Sequence, residues 1–285
     1  MAREPSEAWI SSIDATYRLI EDADVRRSYP QLAAKVESAI RACESALDDY
    51  GLERCALSFN GGKDCTVLAH ILAAVMRRRT KHAGLPRMAA LYVACASPFR
   101  EVDEFIAYAA SPTTGYHMDL YSVHAPMKEA LARYLSGAPS EALGSGSGDA
   151  MSPVSDPPAQ RDVQAMFIGV RESDPHGSKI GVRSPCDPGW PPIMRVHPIL
   201  DWDYAEVWAF LRCPVLGTPA AALPQFVGGG GADGVPYCSL YDLGYTSLGS
   251  THNTHPNPYL RVQGTATYRP AYYLEDGSSE RAGRG

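Results

Sequence analysis

The heptapeptide Ser-Phe-Asn-Gly-Gly-Lys-Asp at residues 58–64 constrains the fold of this chain more than any other segment. An apolar run precedes it at residues 55–57, and apolar side chains recur on one helical face across residues 64–79. A strand, a glycine turn and a helix N-terminus in this order form an anion site, because the turn points its N–H groups at one spot and the helix dipole adds positive potential. Lys63 adds a full charge, and Asp64 can hold a metal ion. The segment predicts a nucleotide phosphate site.

Two common phosphate loops do not fit this segment. A Walker A loop needs Ser or Thr directly after its Lys, whereas Asp64 and Cys65 follow Lys63 here. The dinucleotide fingerprint needs a third glycine at a fixed spacing, which is missing. The alternative without chemistry is a Gly-Gly turn between a strand and a helix, which any α/β protein can carry.

Alternating strand and helix patterns predict an α/β fold, with a mostly parallel twisted sheet and helices on both faces. The predicted helices lie at residues 31–50, 64–79, 101–110 and 127–135, and the predicted strands at 55–57, 88–94, 120–123, 165–169 and 193–200. Asp203 and Glu206 have the spacing of a capping box, so a further helix should begin there.

The chain divides into three predicted regions. Residues 1–50 form an N-terminal helical segment packed on the core, 51–213 form the nucleotide-binding core, and 214–285 form an irregular C-terminal extension. Residues 137–159 are rich in Ser, Gly, Pro and Ala, which predicts a flexible surface insertion. Residues 228–231 are predicted to form a second mobile loop.

A second candidate loop at residues 169–175 reads Gly-Val-Arg-Glu-Ser-Asp-Pro and follows the fourth predicted strand. Ligands of open α/β sheets bind beyond the carboxyl ends of the strands, so both loops should border one crevice. Arg171 can clamp a phosphate through two hydrogen bonds, and Asp174 can bind a metal ion or a ligand amine. A solvated charged turn is the alternative.

Both loops, with the motifs that follow them, resemble the eukaryotic, and especially fungal, FAD synthases (FMN adenylyltransferases). The first loop is similar to the pyrophosphate loop of the PP-loop ATP pyrophosphatases. The further segments that resemble the FAD synthases are residues 169–175, 200–202, 236–242, 244–249, 257–261, 268–272 and 280–284. The resemblance spans residues 50–285 apart from the two insertions.

The resemblance implies that ATP and FMN react to give FAD and pyrophosphate, with Mg²⁺ as the metal ion. It assigns ATP phosphates to the loop, through the residues Ser58, Asn60, Gly61, Gly62 and Lys63. The same resemblance makes Asp64 and Asp174 the catalytic metal ligands, with the FMN phosphate attacking the α-phosphate of ATP in line. Arg281 and Arg284 are implied to be catalytic phosphate contacts, since a spacing of three places them on one face of a helical turn.

The flavin ring needs a flat, mainly apolar slot with polar edge contacts. We expect Arg171 and Asp174 to contact FMN, with Asp201 as a further polar contact at a strand end. Trp190 and Tyr237 are candidates for the ring slot. Tyr241 is a further candidate, whereas Trp202 is expected to pack in the core.

Composition limits the partners of this chain. Acidic residues outnumber basic ones, 32 to 26, and no basic patch dominates, so we expect no nucleic-acid partner. No apolar run is long enough to span a bilayer, and the first residues do not resemble a signal peptide. The seven cysteines are dispersed, which indicates free thiols in a reducing compartment. We therefore expect a cytoplasmic monomer whose partners are ATP and FMN.

Two other functions stay open at the sequence level. Another PP-loop ATP pyrophosphatase, such as a sulfonucleotide (PAPS) reductase-like enzyme, would use a different acceptor. A non-catalytic nucleotide sensor would bind ATP without turnover. The joint presence of Lys63, Asp64, Arg171 and Asp174 argues against a sensor, because binding alone does not require carboxylates that hold a metal ion.

Overall fold

The computed structural model describes residues 5–81, 84–143, 162–175, 177–217, 223–229 and 234–285. The α-helices in these ranges are α1 (Glu7–Glu21), α2 (Ala23–Ser28), α3 (Pro30–Tyr50), α4 (Lys63–Arg79), α5 (Arg100–Ala110), α6 (Met127–Leu135) and α7 (Tyr204–Leu211). The strands are β1 (Cys55–Ser58), β2 (Met88–Val93), β3 (Met118–Val123), β4 (Ala165–Ile168), β5 (Arg183–Pro185), β6 (Met194–Val196), β7 (Val227–Gly229) and β8 (Pro236–Cys238).

Within the described residues, six strands form one sheet in the order β3-β2-β1-β4-β6-β5. All neighbours are parallel except β5, which pairs antiparallel with β6. Leu57 lies opposite Ala90 on one side and Phe167 on the other. The chain builds the sheet outward from β1 to β3 and then crosses to β4 on the other side. The crevice at the carboxyl ends of β1 and β4 is therefore the topological switch point, where such folds bind ligands.

Both faces of the sheet are buried, although the helices divide unequally between them. Leu57 and Phe167 have no exposed surface and pack in the larger apolar cluster with side chains of α3, α4, α5 and α7. Their neighbours Ala56 and Met166 belong to the smaller cluster, together with residues of α6. Since successive strand residues point to opposite faces, this division confirms the predicted α/β class with helices on both faces.

The N-terminal segment contains more helix than the sequence predicted. The helix predicted at residues 31–50 is confirmed as α3, and α1 and α2 precede it. Trp9 on α1 donates from Nε1 to the Gly115 carbonyl at 2.6 Å, and Ser12 donates to the Leu216 carbonyl at 2.6 Å. These long-range hydrogen bonds tie α1 to the core. The boundaries of the three predicted regions stay predictions.

The capping box before α7 is confirmed. The Asp203 carboxylate accepts from the Glu206 N–H at 2.7 Å, and the Glu206 carboxylate accepts from the Asp203 N–H at 2.8 Å. Trp202, just before this cap, is buried and packs edge-on against Phe210 with ring centroids 5.9 Å apart. Core packing of Trp202 therefore agrees with the prediction.

Two local predictions need correction. Of the strand predicted at residues 193–200, only β6 forms, because the chain then turns with Leu200 donating to the His197 carbonyl at 3.2 Å. Gly228 and Gly229 belong to β7, which pairs with β8, so these two residues form a strand and not the predicted loop. Residues 230–231 lie outside the described residues.

The insertion predicted at residues 137–159 begins as an ordered segment. The Glu141 N–H donates to the Ser122 carbonyl at 2.8 Å, and the Glu141 carboxylate accepts from the His124 N–H at 2.9 Å. These bonds hold residues 140–141 along β3, and the flexibility of the insertion stays a prediction. Residues 144–161 lie outside the described residues.

The C-terminal extension is irregular, as predicted. After β8 the described residues contain short 3₁₀ turns, at Ser239–Leu243, Pro258–Leu260, Ala271–Tyr273 and Gly277–Ser279. No helix in the described ranges combines the length and the apolar composition needed to cross a lipid bilayer.

His70 on α4 makes stability depend on pH. Its ring is fully buried against Trp9, Tyr116 and Phe210, and Nε2 lies 3.2 Å from the Ser12 carbonyl. A carbonyl only accepts, so Nε2 carries the proton of the neutral ring. Burial lowers the pKa of His70 from its ordinary value of 6.5 to about 4.

We predict that stability falls as the pH drops from about 6.5 towards 4. The folded-state pKa is lowered, so the unfolded chain binds the proton first, and the stability conferred by neutral His70 is present above about 6.5 and lost on acidification. The loss should reach roughly 3 kcal/mol. Urea unfolding of wild type and His70→Gln between pH 7 and pH 4 measures it. An equally steep loss in both proteins would contradict this account.

Candidate active site

The loop between β1 and α4 has the geometry of an anion site. Gly61 has a φ of +70°, which L side chains rarely adopt, and a Cβ there would come within 2.9 Å of Ile106. The Gly62 N–H donates to Asn60 Oδ1 at 3.0 Å and closes the turn. Gly62 holds the N-cap position of α4, which begins at Lys63, and has no side chain that could cap the helix. The start of α4 borders the crevice, where the helix dipole favours negative charge.

The loop after β4 lies directly against this helix start. A Cβ on Gly169 would meet the backbone of Asp64 and Cys65 at 2.9–3.0 Å, so the two loops touch backbone to backbone. The Arg171 N–H donates to the Asp174 carboxylate at 2.9 Å, and the Asp174 N–H donates to the Arg171 carbonyl at 3.0 Å. The predicted meeting of the two loops at one crevice is confirmed.

Five charged side chains meet where the loops touch: Lys63, Asp64, Arg171, Asp174 and Glu280, which we call the charge cluster. Lys63 Nζ lies 2.9 Å from Asp64 Oδ2 and also contacts the Glu280 carboxylate. Arg171 Nη2 lies 2.5 Å from the same carboxylate and 3.6 Å from Asp174 Oδ1, and Arg171 Nε lies 2.8 Å from Asp64 Oδ1. Both cations are only 1% exposed.

Burial and pairing set the charges of the cluster. Burial by itself lowers the pKa of Lys63, but the Asp64 and Glu280 carboxylates outweigh it and hold the pKa above its ordinary value. The same opposition raises the pKa of Arg171. Burial raises the pKa of Asp174, and the charges of Asp64 and Glu280 add to the increase. Lys63 and Arg171 therefore stay protonated at neutral pH. Asp174 takes up a proton at a higher pH than an ordinary Asp does.

Sequence reasoning missed Glu280 as a site residue. Its carboxylate is buried and contacts both Lys63 and Arg171. Residues 280–284 form one of the segments that resemble the FAD synthases, but only Arg281 and Arg284 in it were predicted to be site residues. Lys63 and Arg171 are buried and need negative charge close by. Asp64 and Asp174 would share their charge with a metal ion, so a further carboxylate is needed to compensate the two cations.

A cavity of about 410 Å³ opens above the charge cluster. This volume lies in the range of small-molecule sites, about 300–1,000 Å³. The predicted residues on its wall are Ser58, Asn60, Gly62, Lys63, Asp64, Asp174 and Arg281. Gly61 shapes the loop behind the wall, and Arg171 lies beneath Asp64. Arg284 packs its guanidinium against Gly249, which lines the cavity.

Tyr241 lines the cavity, but its role is to hold the loop between β1 and α4 and not to stack on a ligand. Its hydroxyl accepts from the Lys63 N–H at 2.8 Å, and its ring packs edge-on against Trp208 with centroids 5.4 Å apart. The ring is buried. Tyr241 therefore fixes the start of α4 from the C-terminal extension.

Three predicted flavin contacts lie away from the cavity wall. The Tyr237 ring is buried against Trp208, and its hydroxyl donates to Asp242 at 2.8 Å. Trp190 packs on the apolar cluster of the other sheet face. Asp201 pairs with Lys35 on α3, at 3.1 Å from Oδ2 to Nζ. The structure does not bring these side chains to the cavity, and their contact with the flavin stays a prediction.

The carboxylates of the cavity suit Mg²⁺ rather than a metal ion held by protein alone. Within the described ranges, no three or more His, Cys, Asp or Glu side chains gather into a metal site. Mg²⁺ is usually held by one or two carboxylates plus phosphate oxygens and water. Asp64 and Asp174 both line the cavity, and the contact of Asp64 Oδ1 with Arg171 Nε at 2.8 Å leaves Oδ2 on the side of Lys63. The two side chains fit such an ion.

We predict that Gly169→Ala disturbs both loops. The added methyl group would press on the backbone of Asp64 and Cys65, which costs about 1–3 kcal/mol in a packed region and should weaken ATP binding. Gly181→Ala is the control, since its Cβ would meet nothing closer than 3.5 Å and should change stability by less than about 0.5 kcal/mol. Urea unfolding and calorimetric ATP titration measure both. Equal behaviour of the two variants would count against the close contact.

Comparison with known proteins agrees with this geometry. Residues 54–216 match the profile of the phosphoadenosine phosphosulfate reductase domain. The Schizosaccharomyces pombe protein named "Probable FAD synthase" is 36% identical over 256 residues, covering 89% of this chain and 80% of that protein. The structure of Candida glabrata FMN adenylyltransferase shares the fold, with a TM-score of 0.70 at 21% identity over 100% of this chain and 98% of that one.

A second structure of the Candida glabrata enzyme, in complex with FMN and the ATP analogue AMPCPP, has a TM-score of 0.69 at 21% identity and covers 98% of this chain and 96% of that one. These structures support the α/β fold. The family follows from the sequence match to the Schizosaccharomyces pombe protein and from the domain profile. The chain belongs to the FAD synthase family, whose core here is a phosphoadenosine phosphosulfate reductase domain.

Proposed function

We propose that this protein transfers AMP from ATP to FMN, giving FAD and pyrophosphate. The observation that carries the proposal is the convergence of the two loops at the switch point. There, Lys63, Asp64, Asp174 and Arg281 border one cavity, and the buried Arg171 contacts Asp64 behind the wall. Adenylyl transfer needs this combination, because two polyanions must be held close together and their charge neutralised.

The proposed ATP site uses the first loop and the start of α4. The phosphates that leave as pyrophosphate lie on residues 60–63, where the dipole at the start of α4 favours negative charge. Ser58 lies at the end of β1 and also borders this part of the cavity. Lys63 acts on the phosphates through its charge, since its ammonium group is engaged by Asp64 and Glu280.

Asp64 and Asp174 are the proposed ligands of Mg²⁺. When bound, the ion supplies neutralisation of the ATP phosphates and of the charge that develops on the leaving pyrophosphate. Arg171 holds Asp64 from beneath, and its backbone N–H holds Asp174. The protein thus fixes both carboxylates before the nucleotide arrives.

The FMN phosphate needs little activation. Its second pKa is about 6, so at neutral pH it is mostly a dianion and can attack without a general base. We propose that Arg281, on the cavity wall, and Arg284, beside Gly249, draw this phosphate towards ATP. Arg171 is almost completely buried and does not line the cavity, so its contact with FMN stays a prediction.

The direct test is incubation of the purified chain with ATP, Mg²⁺ and FMN, with FAD and pyrophosphate followed by chromatography. The proposal expects both products in equal amounts. Pyrophosphate without FAD would indicate another acceptor, as in other enzymes built on this domain. ATP binding without either product would indicate a nucleotide sensor and overturn the proposal.

We predict that Asp64→Asn lowers the rate of FAD formation at least about 100-fold. The amide keeps the shape of the side chain but removes the charge that faces Mg²⁺ and Arg171. Asp187→Asn is a matched control, since this exposed carboxylate pairs with Arg195 and does not line the cavity. Initial rates at saturating ATP and FMN measure the effect. A normal rate in Asp64→Asn would remove Asp64 from the mechanism.

We also predict that Arg281→Gln lowers kcat by about 10- to 100-fold and raises the KM for FMN more than the KM for ATP. The reason is that Arg281 borders the cavity from the C-terminal segment and is not part of the loop proposed for ATP. Arg261→Gln, an exposed arginine of the same extension, should behave as wild type. A larger effect on the KM for ATP would show that the two substrates are assigned the wrong way round.

We further propose that the chain acts as a cytoplasmic monomer on small molecules. All seven cysteines are free thiols in the structure, as is usual in reducing compartments. Light scattering during gel filtration should give the mass of one chain. A dimer mass would contradict the monomer, and recovery from cells with disulfide bonds would contradict the cytoplasm.

A further inference from the structure

Glu280 joins three parts of the chain that are far apart in sequence. Its carboxylate binds Lys63 at the start of α4 and Arg171 in the loop after β4, which lie 217 and 109 residues away. Glu280 itself belongs to the C-terminal extension and is buried. One carboxylate therefore connects both loops of the site to the last residues of the chain.

The contact has physical weight because all three groups are desolvated. Lys63 and Arg171 are each 1% exposed, and Glu280 is 8% exposed. A buried charge is tolerated only when it is paired, and removal of one partner leaves the others without compensation. Glu280 meets this condition with two cations at once, so its carboxylate and the two cations depend on each other for their positions.

Backbone hydrogen bonds prepare Glu280 for this contact. Thr246 donates from its hydroxyl to the Glu280 carbonyl at 2.5 Å, and Asn257 donates from its side chain to the Ser279 carbonyl at 2.8 Å. Further along, the His255 N–H donates to the Gly283 carbonyl at 2.8 Å. These bonds fix the backbone of residues 279–283. The buried Glu280 carboxylate anchors this segment to Lys63 and Arg171.

The anchor determines where the next residue lies. Arg281 directly follows Glu280 and borders the cavity, while the Glu280 side chain points to the charge cluster. We propose that Glu280 is a positioning residue that docks residues 277–285 on the phosphate site, aligns Lys63 with Arg171, and thereby presents Arg281 to the cavity. The docking is independent of the reaction, and its effect on catalysis rests on the proposed function.

The first test is amide hydrogen exchange of the full chain without ligands, read from a peptide covering residues 277–285. Several amides there are hydrogen-bonded, including Ala282 to the Ser279 carbonyl at 3.0 Å and Gly285 to the Asn253 carbonyl at 3.0 Å. Glu280→Gln keeps the size of the side chain and removes its charge. We expect exchange in this peptide to be at least tenfold faster than in wild type, and unchanged exchange would overturn the proposal.

The control is Glu275→Gln, the same substitution at an exposed position five residues earlier. It should leave the exchange of residues 277–285 within twofold of wild type, and equal acceleration by both substitutions would refute a specific anchor. Should Glu280→Gln fail to fold, Glu280→Asp provides the measurement. This substitution keeps the negative charge but shortens the side chain by one methylene group. Exchange faster than in wild type would support the anchor, and exchange equal to wild type would overturn it.

The second test separates positioning from mere stability. For Glu280→Gln we expect a kcat for FAD formation at least tenfold lower, with the KM for ATP changed less than threefold and a raised KM for FMN. Glu280→Asp should recover part of the lost kcat. Faster exchange with an unchanged kcat would show that docking does not serve catalysis. If wild type made no FAD, the proposed function would fail, while the exchange result would still decide whether Glu280 anchors the segment.

Discussion

The pairing of buried charges at the switch point of the sheet is the constraint on which the rest of the site depends. Lys63 and Arg171 are almost completely desolvated, and each is stable there only because carboxylates from separate parts of the chain meet it. The close backbone contact at Gly169 brings the two loops within reach of each other. The resulting cluster holds Asp64 and Asp174 at the cavity wall before any ligand binds.

This arrangement makes the core and the C-terminal extension one functional unit. Tyr241 accepts the Lys63 N–H at the start of α4, and Glu280 neutralises the ammonium group of the same residue. Both partners come from the irregular extension, whose described residues after β8 form short 3₁₀ turns but no α-helix. The extension is therefore held by polar contacts with the phosphate site as well as by buried apolar side chains such as Leu240 and Leu260.

The sequence predicted what depends on local pattern. Helical periodicity and the glycine turn located β1, α4 and the anion loop, and the capping residues located the start of α7. β5 and β7 are three residues long and contain Pro or Gly. They are too short to show the alternation of apolar and polar residues that predicts a strand. The anchor Glu280 and the role of Tyr241 were missed because they depend on contacts 217 and 178 residues apart. Asp201 was predicted from its strand-end position, but its pairing with Lys35 holds it at a different surface.

The central claim is that the FMN phosphate attacks the α-phosphate of ATP directly, while the protein supplies position and charge. The most direct test uses ATP made chiral by one sulfur atom on its α-phosphorus, with the configuration determined in the FAD product. One in-line displacement inverts the phosphorus, so the account predicts inversion. Retention would require two displacements and a covalent enzyme intermediate, which would contradict it.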